Sequence, residues 1–293
     1  MVKAFRVACL SVVVAGMAVS ACGSKEDRAP AVARATVSFS KTKVPLGSPV
    51  DMKYRFEVAP NATFGQDYRV LVHFLDADEE LMWTDDHTPP VPTSQWKPGQ
   101  VVEYTRTMFV PVYPYVGQAT VTVGLYAAGT SERLPLNGDL LGQREYRVAT
   151  LQLQPQFDGV LVVFKDGWHP AEASPDNPTL EWQWTRKEST LSFRNPRQNA
   201  TLFLHYDGQP ALAGSPQTVS VQLHGEVVDT FQLTGPQEDI RRIPLKAGQF
   251  GSDDLVEIRM VVDKTFVPAL TGGGSRDPRE LGIRVYHAYV EPQ

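Results

Sequence analysis

From Val37 onward the chain repeats one local theme, an apolar residue followed by a polar one. Its plainest instance is Val50-Asp51-Met52-Lys53-Tyr54-Arg55-Phe56-Glu57-Val58, nine residues that alternate without a break. Successive side chains of a strand point to opposite faces, so this period buries one face and wets the other; a helix would spread the same charges around its circumference. Similar runs predict strands over 68–75, 81–84, 101–110, 119–126 and 146–153. Turn-forming residues separate them, among them Pro60-Asn61, Asp76-Ala77-Asp78, Lys97-Pro98-Gly99 and Asn137-Gly138-Asp139. A second series follows at 190–193, 200–206, 219–223, 227–233, 241–245, 255–262 and 282–290. Between the series lies Pro155 to Gly159, after which a fresh apolar run begins at Val160.

The expected fold class is therefore all-β: two tandem antiparallel β-sandwiches, immunoglobulin-like over residues 34–154 and jelly-roll-like over residues 155–293. A length of 293 residues gives each enough chain for its own core, and 23 prolines work against long helices. The Cys-Trp-Cys spacing of antibody domains is absent, so the immunoglobulin likeness is one of architecture.

The first thirty residues follow another pattern. Lys3 and Arg6 precede an apolar stretch of 13 residues, Val7 to Val19, and small residues close the segment. This is the layout of an export signal over residues 1–21, too short to span a ~30 Å hydrocarbon core. Val19-Ser20-Ala21-Cys22 resembles the lipobox of bacterial lipoproteins, in which cleavage precedes the cysteine and the cysteine takes up lipid. The resemblance implies lipidation of Cys22, a membrane partner reached through that anchor, and residence in a bacterial envelope facing periplasm or exterior. Gly23 in place of the inner-membrane retention aspartate implies the outer membrane if the cell is Gram-negative. Two or three acyl chains, at about 0.8 kcal/mol per buried methylene, hold a protein on a bilayer where one does not. Residues 22–33 then read as the lipidated cysteine and a flexible tether.

Charge and cysteine count narrow the chemistry. Loss of residues 1–21 takes Lys3 and Arg6 from 28 basic residues, leaving 26 against 33 acidic ones, a formal charge of −7. Nucleic acid is a poor partner for such a surface. The chain has two cysteines and Cys9 lies in the segment removed, so Cys22 alone remains. An internal disulfide, cysteine-ligated zinc and a thiol nucleophile are thereby excluded, and no cofactor or metal is expected.

Several clusters carry candidate chemistry. Asp76, Asp78, Glu79 and Glu80 are oxygen-rich, but Leu81 stands where an EF-hand needs glycine, and a solvated hairpin is the expectation. Asp85-Asp86-His87 could bind metal or act as a base, with a turn-capping role favoured. His169 and Glu172 are a metal pair without a third ligand. Trp182 and Trp184 lie two apart, so on a strand their rings share a face; they are a candidate sugar platform weighed against a place in the sandwich core, and the core is favoured. Trp168 after Gly167 is the better exposed candidate. Asp277 and Arg279 are candidate ligand-binding residues, with internal pinning of the Gly272-Gly273-Gly274 loop to Asp263 and Lys264 as the commoner role. Signatures of nucleophile elbows, zinc proteases and phosphate loops are missing.

Val72-His73-Phe74-Leu75-Asp76-Ala77-Asp78, Trp83-Thr84-Asp85-Asp86-His87, Thr93-Ser94-Gln95-Trp96-Lys97-Pro98-Gly99 and Val123-Gly124-Leu125-Tyr126 resemble a sandwich module appended to bacterial membrane glycosyltransferases and other envelope polysaccharide proteins. Trp182-Gln183-Trp184, Phe193-Arg194-Asn195-Pro196 and Asp277-Pro278-Arg279-Glu280-Leu281-Gly282 resemble a second β-rich module found in similar company. The resemblance implies a context and transfers no catalytic residue. The function expected is non-enzymatic binding or scaffolding of a polysaccharide or an envelope partner protein. The alternatives are a carbohydrate hydrolase drawing acids from Asp85, Asp86 or Asp277, and a plain spacer.

Overall fold

The computed structural model describes residues 29–130, 132–156, 161–175 and 180–293. The expected signal segment, Cys22 and most of the tether lie outside the described residues, as do residues 157–160 at the expected domain boundary. Ala31 to Gln293 forms one compact unit built from two sandwiches, so contacts between them belong to a single body.

The first sandwich runs β1 (Ala33–Phe39), β2 (Lys43–Pro45), β3 (Pro49–Val58), β4 (Tyr68–Leu75), β5 (Leu81–Thr84), β6 (Val101–Phe109), β7 (Gly117–Ala127), β8 (Arg133–Leu134), β9 (Asp139–Gly142) and β10 (Glu145–Gln154). A sheet in the order β1-β3-β6 faces one in the order β2-β10-β7-β4-β5, with β8 beside β7 and β9 beside β10. The alternation of Val50 to Val58 does what it predicts: Val50, Met52, Tyr54, Phe56 and Val58 are buried, against Val121, Val123 and Leu125 of β7 and Leu151 and Leu153 of β10 in the same core.

One pairing departs from the antiparallel expectation. The chain leaves the first sheet after Phe39 and crosses to the second, where Lys43 to Pro45 runs parallel to Gln152 to Gln154. A first strand shared between both sheets closes the side of the sandwich, as in immunoglobulin-type folds. Two to four residues show no period, so β2, β8 and β9 have no signature in the sequence.

The second sandwich runs β11 (Val162–Phe164), β12 (Glu172–Ala173), β13 (Glu181–Trp184), β14 (Glu188–Arg194), β15 (Ala200–Gly208), β16 (Gln217–Leu223), β17 (Glu226–Leu233), β18 (Asp239–Leu245), β19 (Leu255–Val262) and β20 (Ile283–Pro292). Two five-stranded antiparallel sheets, β11-β14-β19-β16-β17 and β12-β13-β20-β15-β18, enclose Leu191, Leu204, Val221, Ile243, Ile258 and Ile283. Pro244 sits in β18, an edge strand, where a missing N–H costs no ladder bond.

The outer face of the β20 sheet meets the first sandwich. Phe203 of β15 and Tyr289 of β20 bury against Phe109 at the end of β6, with Ile240 packed alongside. Around this apolar contact Arg242 bonds Asp51 and lies over the Phe203 ring at 5.3 Å, and Lys41 bonds Glu291. Thr107 Oγ1 donates to Asp51 Oδ1 at 2.8 Å, fixing the carboxylate that receives Arg242.

Candidate functional site

A groove of about 700 Å³ opens where the sandwiches meet. Trp83 to Asp85 and Arg106 to Phe109 line it from the first sandwich; His205, Glu238, Asp239, Ile240 and His287 line it from the second. Strand geometry decides which residues arrive there. On β15 Leu202, Leu204 and Tyr206 point into the core, so Phe203, His205 and Asp207 point out.

On β20 Ile283 and Val285 are core residues, which sends Arg284 out with Tyr286. The register between β15 and β20 slips at His205/Tyr206: His205 opposes His287 and Tyr206 opposes Val285, leaving Tyr286 as an extra residue. This bulge turns Tyr286 and His287, adjacent in sequence, to the same side of the sheet.

The result is a cluster of rings. Phe109 stacks on His287 at 4.8 Å and on His205 at 6.0 Å between centroids, His287 lies parallel to His205 at 5.7 Å, and His205 stacks on Tyr286 at 4.8 Å. Trp182 meets Tyr286 edge-on at 6.2 Å. The His205 Nε2 is 3.1 Å from Glu238 Oε2 and its Nδ1 is 3.4 Å from the His287 Nδ1. With both rings neutral, only one bonding pattern satisfies these contacts. The His205 Nε2–H donates to Glu238, the His205 Nδ1 accepts from His287 Nδ1–H, and the His287 Nε2 keeps its lone pair. Burial first, then the adjacent His205, pushes the His287 imidazole below the usual histidine range. The hydrogen bond from His205 outweighs burial and holds the Glu238 carboxyl low, so it is ionised at neutral pH.

Trp184 is buried and Trp182 half-buried, as favoured over an open platform, but in a small apolar cluster on the outer face of the sheet and not between the two sheets. Trp184 pairs with Arg284 across β13 and β20 and so shares its outward face. The Arg284 guanidinium lies over the rings of Trp182, Trp184 and Tyr286 at 5.2, 5.4 and 5.6 Å and bonds Asp207, which is 2% exposed. Phe266 and Leu281 cover Trp184, leaving it 8% exposed. The pair is thus a buttress behind the groove rather than an open platform. Trp168 is likewise not the exposed ring expected: it packs edge-on against Phe164 at 4.5 Å and its Nε1–H donates to the Thr190 carbonyl at 2.8 Å.

Arg279 pins its loop internally, but not to the partners expected. It bonds Asp277, with Nη2 to Oδ2 at 2.6 Å, and reaches Glu172 at 2.5 Å. Asp263 accepts from the Thr218 N–H and Lys264 donates to the Pro216 carbonyl, so both are spent elsewhere. The hydrogen bonds from Arg279 hold Asp277 down at about 2, the wrong direction for a general acid. Glu172 is thereby separated in role from His169, whose Nε2 faces the Glu280 carbonyl at 2.8 Å.

Asp85-Asp86-His87 is also committed. Asp85 accepts from Tyr54 Oη at 3.1 Å and from Arg106, and Asp86 Oδ1 accepts from the Val72 N–H at 2.9 Å. The His87 Nδ1 faces the Asp85 carbonyl at 2.8 Å and its Nε2 faces Tyr104 Oη at 2.7 Å. Asp76 Oδ1 accepts from the backbone N–H of Asp78 and of Glu80, both at 2.9 Å, which makes the acidic run a hairpin turn. Among the described residues no group of three His, Cys, Asp or Glu side chains is placed to hold a metal ion.

The groove residues His205, Glu238 and His287 have no motif. The signal that could have found the last is the break in alternation at Tyr286-His287 inside an otherwise regular strand.

The sequence matches no known protein family and no curated protein. Among solved structures it is similar to the alkylpurine DNA glycosylase AlkC of Pseudomonas fluorescens bound to DNA containing an abasic site analog, at 12% identity, 42% of this chain, 31% of that chain and a TM-score of 0.25. It is similar to the C-terminal CBM6 of LamC from Zobellia galactanivorans at 10% identity, 45% of this chain, 98% of that chain and a TM-score of 0.25. A third likeness is to Bacteroides uniformis beta-glucuronidase at 10% identity, 88% of this chain and a TM-score of 0.30; the chain spans 30% of that enzyme's chain. None of these likenesses singles out a residue of this chain.

Proposed function

We propose that the protein is a lipid-anchored, non-enzymatic protein of the bacterial envelope that binds a polysaccharide in the groove between its two sandwiches. The observation that carries this reading is the ring cluster of Phe109, His287 and His205, backed by Tyr286 and set beside Trp83 and three carboxylates in a cavity of about 700 Å³. Sugars present apolar C–H faces and a rim of hydroxyls, so a site for them needs aromatic surface and convergent hydrogen-bonding groups together. The anchor is supported by Val19-Ser20-Ala21-Cys22 and the charged leader before it. The non-enzymatic part is supported by Asp85, Asp86 and Asp277, each already tied to donors of the fold.

Affinity electrophoresis through gels containing envelope polysaccharides tests the binding. Retardation by at least one polymer is expected, weakened roughly tenfold by Trp83→Ala or His287→Ala, as for anchor residues of other interfaces. Undiminished retardation of both variants would move the site elsewhere, and no retardation by any polymer would end the reading. Release of new reducing ends during incubation would contradict the non-enzymatic part. Intact-mass measurement of membrane-extracted protein is expected to give residues 22–293 plus acyl mass.

A further inference from the structure

Five buried side-chain atoms have no hydrogen-bond partner among the described residues: Arg69 Nε, Trp83 Nε1, Trp182 Nε1, Ser189 Oγ and Gln217 Oε1. Buried polar groups are ordinarily paired, so each exception calls for a cause. Of the five residues, Trp83 alone lines the groove. An indole N–H is a donor and nothing else, so its missing partner is an acceptor. Where a tryptophan serves packing elsewhere in the chain, the fold supplies one: Trp96 donates to the Val91 carbonyl at 2.9 Å and Trp168 to the Thr190 carbonyl at 2.8 Å.

The neighbours of Trp83 differ in how firmly they are held. Phe74, a fully buried residue of β4, stacks on the indole at 4.8 Å and fixes the plane of its ring. Tyr113, tilted at 6.3 Å, belongs to residues 111–116, which pair with no strand; Pro111 of that segment lines the groove, and Val112 and Val116 are 68% and 52% exposed. Admitting an oxygen to the indole edge from the groove therefore calls for a shift of this unpaired segment and of no strand. We propose that Trp83 is a specificity-determining residue, whose indole N–H takes an oxygen of the bound sugar as its acceptor. This rests on the polysaccharide reading and deepens it. The hydrogen bond exists only in the complex, so a sugar unit lacking an oxygen at that place leaves the donor unmet and binds more weakly.

Proton–nitrogen correlation spectra of the tryptophan indoles, recorded while the protein is titrated with oligosaccharides cut from a polysaccharide that retards it, test the proposal. The chain has five tryptophans, and the cross-peak missing from Trp83→Phe identifies the one concerned. That cross-peak is expected to move downfield at saturation, as an N–H does when it gains an acceptor. Trp83→Phe, which keeps a ring and deletes the N–H, is expected to bind the same oligosaccharides about fivefold more weakly, the size of one net hydrogen bond. A Trp83 cross-peak that stays in place while groove amides shift, or Trp83→Phe binding as tightly as the wild type, overturns the inference while sugar binding stands. If no polysaccharide retards the wild-type protein, the inference falls together with the reading beneath it. A backbone spectrum of Trp83→Phe that matches the wild type away from the groove separates lost affinity from lost fold; if the variant does not fold, the movement of the wild-type cross-peak decides.

Discussion

His87 and His287 face opposite chemical situations, one packed on Tyr54 and Tyr104 in the first sandwich and the other at the groove. His87 is 5% exposed, with one ring nitrogen on a backbone carbonyl and the other on Tyr104. Burial pushes its pKa down, and nothing is left over for a ligand. His287 is also pushed down, yet it stands at the groove wall, clustered with the rings of Phe109 and His205. One histidine closes a network; the other ends one. The sequence makes the first look like chemistry, since Asp85-Asp86-His87 is dense in titratable groups, and gives no hint of the second. Density along the chain measures what a turn needs for its own hydrogen bonds, and a site needs groups whose bonding capacity remains unspent.

That contrast can be broken by removing closed groups and open groups in turn. The largest effect is expected for Asp207→Ala, which strands the Arg284 guanidinium among Trp182, Trp184 and Tyr286 without its counter-charge. Breaking a buried pair in this way costs about 3–5 kcal/mol, read as a lower midpoint in urea with unchanged slope. A loss under about 1 kcal/mol would show that the pair is solvated.

Next comes Asp85→Ala in the closed cluster. It leaves Tyr54 Oη without its carboxylate acceptor in the core, and an unmet buried hydroxyl costs about 1–3 kcal/mol. The same variant should leave polysaccharide retardation detectable, because Trp83 and the ring cluster remain.

Acid should destabilise the protein through both histidines. Each has a folded pKa below its unfolded value near 6.5, so the unfolded chain binds more protons as pH falls beneath that value. The stability present above pH 6.5 is lost progressively below it, at most about 1.4 kcal/mol per pH unit for each histidine, and less for His287 at the open groove. Urea midpoints measured from pH 7.5 to 5 should therefore fall, and His87→Gln should flatten the slope more than His287→Gln. The reverse order would dissolve the distinction between the two sites.

The smallest change in stability is expected where the change in binding is largest. His287→Ala should move the folding free energy by less than about 1 kcal/mol, since the residue meets only ring faces and a single weak hydrogen bond.

Much of the fold was legible because alternation is a local signal. The expected spans 68–75, 81–84 and 255–262 coincide with β4, β5 and β19, and the others differ by a few residues at their ends. Besides β1, six short strands escaped, β2, β8, β9, β11, β12 and β13, since a segment such as Lys43–Pro45 or Glu172–Ala173 is pinned by its partner strand and not by its own pattern. The site was mostly illegible. His205 and His287 are 82 residues apart in the chain and meet only because a bulge turns Tyr286 and His287 to one side. Trp182 and Trp184 were visible as a same-face pair, but which face depended on Val285 of the neighbouring strand taking the core.

Backbone amide chemical-shift mapping during titration with oligosaccharides cut from a polysaccharide that retards the protein tests the central claim most directly. Shifts confined to Trp83, Phe109, His205, Glu238, Tyr286 and His287 are expected. Shifts centred instead on the first sandwich's other hollow, around Asp86, Tyr126 and Arg133, would contradict a binding groove between the sandwiches.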